Sequence, residues 1–167
     1  MKYQLPFFGE MDTTKVEEYY KTVIDRNGQD LRLDLNVKEN QLATELFDQV
    51  KFLLETIDAQ DVKNKGFIKD NYKDEEEETV RDYLNEHLEE LEDELAEIVD
   101  FDNDQLPADL QLLRALKLVR IGFYPDGKYD SASFATYDYT IDEELTDQLI
   151  VVNVDKDGKL LDLAWES

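Results

Sequence analysis

The sequence predicts one α+β domain over residues 1–167. We expect an antiparallel sheet, built from an N-terminal hairpin and a C-terminal meander of four strands, with about three central helices packed on one face. Two patterns support this: apolar residues alternate at period two near the start and in the last third, and they recur every three or four residues in between. A third observation is that strands and helices do not alternate regularly, as a parallel sheet would require.

An early hairpin is predicted around Asn27 and Gly28, a pair that readily adopts the positive φ angles of a tight turn. Before it, residues 2–8 form a short apolar stretch broken by Pro6, which is typical of an edge strand. After the turn, every second residue is apolar and is expected to face the core: Leu31, Leu33, Leu35 and Val37. The residues between them are expected to face solvent: Arg32, Asp34 and Asn36.

Two helices are predicted between residues 42 and 72. The first carries a broad apolar stripe at helical spacing: Leu42, Leu46, Val50, Leu53 and Ile57. The second is expected to start with Asp58 as its cap and to pack through Val62 and Ile68, with Gly66 weakening it.

The segment from Asp74 to Gln105 holds sixteen carboxylates and one cationic residue, Arg81. Apolar residues from Val80 to Ile98 recur at helical spacing, so the sequence predicts a packed helix with a carboxylate exterior. At 1.5 Å per residue such a helix would span about 48 Å, with about one charge per 3 Å, close to the phosphate spacing along one DNA strand. Because carboxylates at its end oppose the helix dipole, its apolar face must hold it.

The last third is predicted to hold a short helix over residues 108–116 and then the meander. The four strands are expected at residues 117–124, 134–141, 148–154 and 159–165. In the first strand, one face is expected to carry Val119, Ile121 and Phe123. In the second, one face is expected to carry Ala135, Tyr137 and Tyr139.

The chain has 42 acidic and 18 basic residues, for a net charge of −24. Such a charge disfavours nucleic acid and anionic membranes and allows a basic protein as the partner. Its 41% apolar residues indicate an ordered domain rather than a disordered acidic chain. There is no cysteine, which suits a reducing compartment. Met1–Thr14 lacks the continuous apolar run of a signal peptide, and no apolar window long enough for a membrane-spanning helix follows. We therefore expect a cytoplasmic protein.

The acidic segment has two interpretations. It is either a solvated face that keeps the protein soluble or a docking surface for a basic partner, including a decoy for a protein that handles nucleic acid. The partner-binding candidates are six carboxylates, which we call the acidic surface: Glu86, Glu89, Glu90, Glu92, Asp93 and Glu97. We expect no catalytic residues, no cofactor and no metal site, and no oligomeric state is predicted.

Three other features are candidate sites. His87 is the single histidine, and it is expected at the edge of the core. The alternative to a binding function is a carboxylate-based or cation-dependent hydrolase that uses acidic clusters near His87. Residues 153–158 match the first half of a calcium loop, but Ala164 stands where the bidentate Glu is needed, which favours a hairpin turn. A further alternative places the function on an aromatic sheet face with these members: Tyr124, Tyr137 and Tyr139.

Five different short motifs follow one another along the chain: Phe8-Gly9-Glu10, Glu17-Glu18-Tyr19-Tyr20 before the Asn-Gly hairpin, Tyr139 to Leu149, Asp155 to Gly158, and Trp165-Glu166-Ser167. With them the chain resembles, over nearly its whole length, an uncharacterised bacterial family, the domain of unknown function numbered two thousand and four. The resemblance implies no established activity. Small acidic bacterial proteins of similar build are suspected of being immunity proteins that neutralise a toxin, which by analogy implies a protein-binding role.

Overall fold

A six-stranded sheet forms the centre of the fold, and a computed structural model describes it together with the rest of residues 1–167. Its strands lie side by side in chain order: β3 (Tyr19–Arg26), β4 (Gln29–Asn36), β5 (Lys117–Phe123), β6 (Ala135–Thr140), β7 (Leu149–Val154) and β8 (Leu160–Glu166). A separate hairpin consists of β1 (Lys2–Leu5) and β2 (Gly9–Asp12). The predicted α+β class, the early hairpin and the meander are confirmed.

The helices pack on one face of this sheet. They are α1 (Thr44–Glu55), α2 (Ile57–Lys73), α3 (Thr79–Glu90) and α4 (Ala108–Ala115), with a 3₁₀ turn at Glu94–Glu97. Alternate strand residues fill the core beneath them, including Leu33, Ile121, Tyr137, Ile150 and Val152. None of the helices combines the length and the apolar character needed to cross a bilayer.

The sheet is mixed rather than wholly antiparallel. β4 pairs with β5 in parallel, and the other neighbouring strands pair antiparallel. The parallel pair joins the early hairpin to the meander, which explains how two segments separated by all four helices form one sheet. In this register Arg32 lies opposite Arg120, and Asp34 lies opposite Gly122.

The predicted long acidic helix is wrong. Helix α3 ends at Glu90, and the chain turns at Leu91 before the short 3₁₀ turn. A 12-residue helix spans about 18 Å, so the regular charge spacing expected of a straight 48 Å rod is not realised. Like-charged neighbours and carboxylates near the negative end of the helix dipole both disfavour its continuation, and the apolar residues up to Ile98 still pack on the core through the turn.

Helix α2 differs from the prediction in its start and its inner face. It begins at Ile57 with Thr56 as the flanking residue, and Val62 is 74% exposed rather than packed. Its buried residues are largely polar: Ile57, Gln60, Asp61, Asn64 and Ile68. Asp61 accepts hydrogen bonds from the Tyr139 hydroxyl at 2.7 Å and from Arg26 at 2.8 Å, so this helix is held to the sheet by a buried polar network that apolar periodicity cannot predict.

A β-bulge changes the predicted face of β5. The register with β6 shifts between Leu118 and Arg120, which leaves Val119 as the extra residue. Leu118 therefore joins Ile121 and Phe123 in the core beneath the helices, whereas Val119 is buried outside that core. Arg120 alternates with Ile121 and so lies on the face of the sheet away from the helices, which we call the open face.

Arg120 joins three strands on the open face. Its Nε and Nη2 atoms donate to the two carboxylate oxygens of Asp34 at 2.6 and 2.9 Å, and its Nη1 donates to Asp138 at 3.1 Å. Asp34 and Asn36, predicted to be solvent-facing, are buried, and the Asn36 amide donates to Asp34 at 2.6 Å. This cluster fixes β4, β5 and β6 relative to one another.

Replacing Arg120 by Met is expected to cost about 3 kcal/mol of unfolding free energy, because Asp34 and Asp138 are then buried without a cation. Urea unfolding followed by circular dichroism at neutral pH measures the loss. The matched control is Arg32→Met on the neighbouring strand, where Arg32 pairs at 2.6 Å with Glu143 and both side chains are about half exposed. The control is expected to lose less than about 1 kcal/mol; equal losses for the two variants would contradict the assignment.

Candidate functional site

The acidic surface occupies the second half of α3, the turn after it and the 3₁₀ turn. All six of its carboxylates are exposed, and none takes part in a salt bridge. The salt bridges of the chain lie elsewhere, so none of these six carboxylates is paired with a cation of the protein. This surface is therefore available to an external cation.

The structure brings two of the six predicted residues into a concave site. Glu86 and Glu90 line a cleft of about 300 Å³, which we call the His87 cleft, together with Asp147 from the loop between β6 and β7. His87, Leu91 and Leu145 also line it. The other four members of the acidic surface lie outside the cleft: Glu89, Glu92, Asp93 and Glu97.

His87 lies at the edge of the core, as the sequence predicts, and is 3% exposed. Its Nδ1 lies 2.6 Å from the carbonyl oxygen of Tyr83 and donates to it, while its Nε2 lies 2.9 Å from the Thr146 hydroxyl. The ring also packs at 4.3 Å, centroid to centroid, on Tyr83, whose own pKa is raised by burial. Both nitrogens therefore already have partners, and His87 fixes the β6–β7 loop against α3.

The calcium-like motif forms the hairpin turn between β7 and β8, as predicted. Gly158 has a φ of +79°, and Asp155 accepts the backbone N–H groups of Asp157 and Lys159, both at 2.9 Å. These bonds lower the pKa of Asp155 below its ordinary value, although its slight burial acts the other way. No group of three or more histidine or acidic side chains is arranged to hold a metal ion.

A second cleft, which sequence reasoning missed, lies on the open face. This Arg120 cleft has a volume of about 380 Å³. β6 and β7 provide its floor, the loop between β5 and β6 provides one wall, and Glu166 of β8 lies on its opposite side. Its principal lining residues are Arg120, Tyr124, Tyr129, Thr136, Asp138 and Glu166.

Gly122 leaves room for the Arg120 side chain in this cleft. A Cβ atom at Gly122 would lie 2.5 Å from the Nη2 of Arg120, so the hydrogen-bonded guanidinium occupies the space that a side chain would fill. Burial acts to lower the pKa of Arg120, but the hydrogen bonds to Asp34 and Tyr124 raise it overall. Burial raises the pKa of Asp138 and outweighs the opposing effect of Arg120.

The aromatic sheet face expected from Tyr124, Tyr137 and Tyr139 is not a surface. Tyr137 and Tyr139 are fully buried beneath the helices, because alternate residues of β6 face the core. Burial raises the pKa of both phenols. Tyr124 is the one member at the open face, where its hydroxyl accepts a hydrogen bond from Arg120 at 3.1 Å.

Comparisons with protein-family models, curated proteins and solved structures found no match to this chain. The resemblance to the bacterial family of unknown function therefore stays a prediction.

Proposed function

We propose that this protein is a non-enzymatic binding domain, of the immunity or inhibitor type, that docks a basic protein partner through its acidic surface. The absence of cysteine from the sequence suits a reducing compartment, and we place this role in the cytoplasm. Nucleic acid and membranes are not expected partners, because a net charge of −24 repels both.

The observation that carries this proposal is the convergence of Glu86, Glu90 and Asp147 on the His87 cleft, without a cationic side chain among the lining residues. Lysine and arginine have apolar stems and charged ends. Leu91 and Leu145 can contact such a stem, and the carboxylates can accept hydrogen bonds from its end. A cleft lined by one sign of charge also concentrates the field that attracts an oppositely charged partner.

The remaining four carboxylates extend the same negative potential over the turn beyond the cleft. Exposed charges at the rim of an interface mainly accelerate association, and salt screens them, whereas charges that become buried on binding hold the complex together. The proposal therefore assigns long-range attraction to Glu89, Glu92, Asp93 and Glu97. It assigns anchoring to the residues of the His87 cleft.

The proposal predicts that a partner captured from an extract of the native cells is released by raised salt. Replacing Glu86 and Glu90 by Gln and Asp147 by Asn removes the carboxylates that would anchor a basic side chain. The triple variant is expected to bind that partner at least about tenfold more weakly, because bonds to buried charged groups contribute about 1.5–3 kcal/mol each. Surface plasmon resonance with the purified partner measures the change.

The matched control neutralises three exposed carboxylates away from the cleft, with Glu10→Gln, Glu45→Gln and Asp157→Asn, and so has the same net charge as the triple variant. It is expected to bind like the wild-type protein. If both variants bind equally well, or if binding is insensitive to salt, the acidic docking surface is wrong.

The second candidate is the carboxylate-based or cation-dependent hydrolase. The nearness of Glu86, Glu90 and Asp147 to His87 in one cleft favours it, but both His87 nitrogens already have partners, which ranks it second. It predicts hydrolysis of an ester, phosphoester or glycosidic substrate, with or without a divalent cation, and loss of this activity in Glu90→Gln. Activity that survives Glu90→Gln would place the reaction elsewhere.

A further inference from the structure

We propose that the Arg120 cleft binds an organic cation, a primary ammonium or guanidinium group carried on a short apolar stem. This site lies on the open face of the sheet, and its occupancy does not depend on the function proposed for the acidic surface. The charge of the cleft, an unused acceptor oxygen and an aromatic wall support this assignment.

The charge of the cleft is negative in spite of Arg120. Two carboxylates, Asp138 and Glu166, line the cleft with the guanidinium of Arg120, and Asp34, which is not a lining residue, pairs with that guanidinium. Four of the five N–H groups of Arg120 are already used, by Asp34, Asp138 and Tyr124, so little of its donor capacity remains for an anion. A cation entering the cleft would reduce the net negative charge, whereas an anion would add to it.

Asp138 supplies an unused acceptor within the cleft. The residue is 6% exposed, and its single hydrogen bond joins Oδ2 to Arg120, which leaves Oδ1 without a partner. This oxygen keeps contact with solvent, so a ligand in the cleft can reach it. A ligand N–H at this position would satisfy Oδ1, and its positive charge would offset the burial that raises the pKa of Asp138.

The floor of the cleft includes Thr136, whose hydroxyl oxygen is buried and makes no hydrogen bond. Because that oxygen is closed to solvent, a ligand in the cleft meets the carboxylates of Asp138 and Glu166 rather than Thr136. An ammonium group has three donors and a guanidinium group has five, so either can bond to more than one carboxylate oxygen.

The wall of the cleft suits the stem of such a cation. The rings of Tyr124 and Tyr129 meet edge to face with centroids 6.4 Å apart, and Val151 lies on the floor. Tyr129 is 74% exposed, and both Tyr129 and Asp130 have positive φ angles, 62° and 58°. Such backbone costs about 1–3 kcal/mol per residue and clusters at ligand sites. The ammonium of Lys128 lies 5.2 Å from the centre of the Tyr129 ring, so this ring already has one cation of the chain against it.

The test is a titration of the full-length ¹⁵N-labelled protein with n-butylguanidinium and, separately, with the blocked peptide acetyl-Gly-Arg-Gly-amide. We expect saturable shifts of the backbone amides of residues 129–138, and weakening of binding by about tenfold or more in Asp138→Asn. Glu166→Gln at the rim is a second variant that leaves the buried cluster intact and is expected to weaken binding severalfold. Glu10→Gln makes the same charge change at an exposed site on β2 and is expected to bind like the wild type.

The two probes distinguish the sources of the cation. Saturation by free n-butylguanidinium supports a small-molecule ligand, whereas saturation by the peptide alone supports an arginine side chain from another protein. The proposal is overturned if neither probe shifts these amides, if Asp138→Asn and Glu166→Gln both bind as tightly as Glu10→Gln, or if acetate shifts the same amides more strongly than either cation.

Discussion

The guanidinium of Arg120 joins three neighbouring strands on the open face, and it lies at the one parallel pairing of the sheet. That pairing places Arg32 opposite Arg120, an unfavourable juxtaposition of like charges. Asp34 offsets it by accepting two hydrogen bonds from Arg120, and Glu143 pairs with Arg32 at 2.6 Å. The early hairpin and the meander thus meet at a junction that is specified by charge as well as by apolar packing.

Local backbone features prepare this junction. The bulge at Val119 brings Leu118 into the core beside Ile121, and Gly122 leaves the space in which the Arg120 side chain lies. Bulges of this kind redirect a side chain and occur often beside functional sites. Arg120 and Asp138 both join the strands and line the Arg120 cleft, so the structural cluster and the candidate ligand site share residues.

Two arginines of the chain join elements of the fold. Arg120 joins β4, β5 and β6, while Arg26 pairs at 2.8 Å with Asp61 and so ties β3 to α2. The carboxylates of the acidic surface have no such partners. Like charges three and four residues apart on α3, such as Glu86 with Glu89 and Glu90, oppose the helix by a few tenths of a kcal/mol each. A surface that slightly opposes its own helix is understandable if the charges serve an external partner.

Period-two and helical patterns were enough to predict the fold class, the Asn27-Gly28 hairpin and the four meander strands, because these depend on local alternation. The apolar periodicity wrongly predicted one long helix between Asp74 and Gln105, because apolar residues continue to reach the core after α3 ends at Glu90. Glu86 and Glu90 were predicted as binding residues, but their cleft also needs Asp147 from a distant loop. The Arg120 cluster could not be predicted, because Asp34 and Arg120 meet only through the parallel pairing of β4 and β5.

The central claim is that the carboxylates of the acidic surface serve a partner and do not stabilise the fold. Urea unfolding of a variant with all six neutralised, Glu to Gln and Asp93 to Asn, tests it at low and high salt. The variant is expected to be more stable than the wild type by about 1 kcal/mol at low salt, because repulsion on α3 and with its dipole is relieved. The difference should shrink in about 1 M salt. A variant that is less stable than the wild type at both salt concentrations would contradict the claim and make these carboxylates part of the structure.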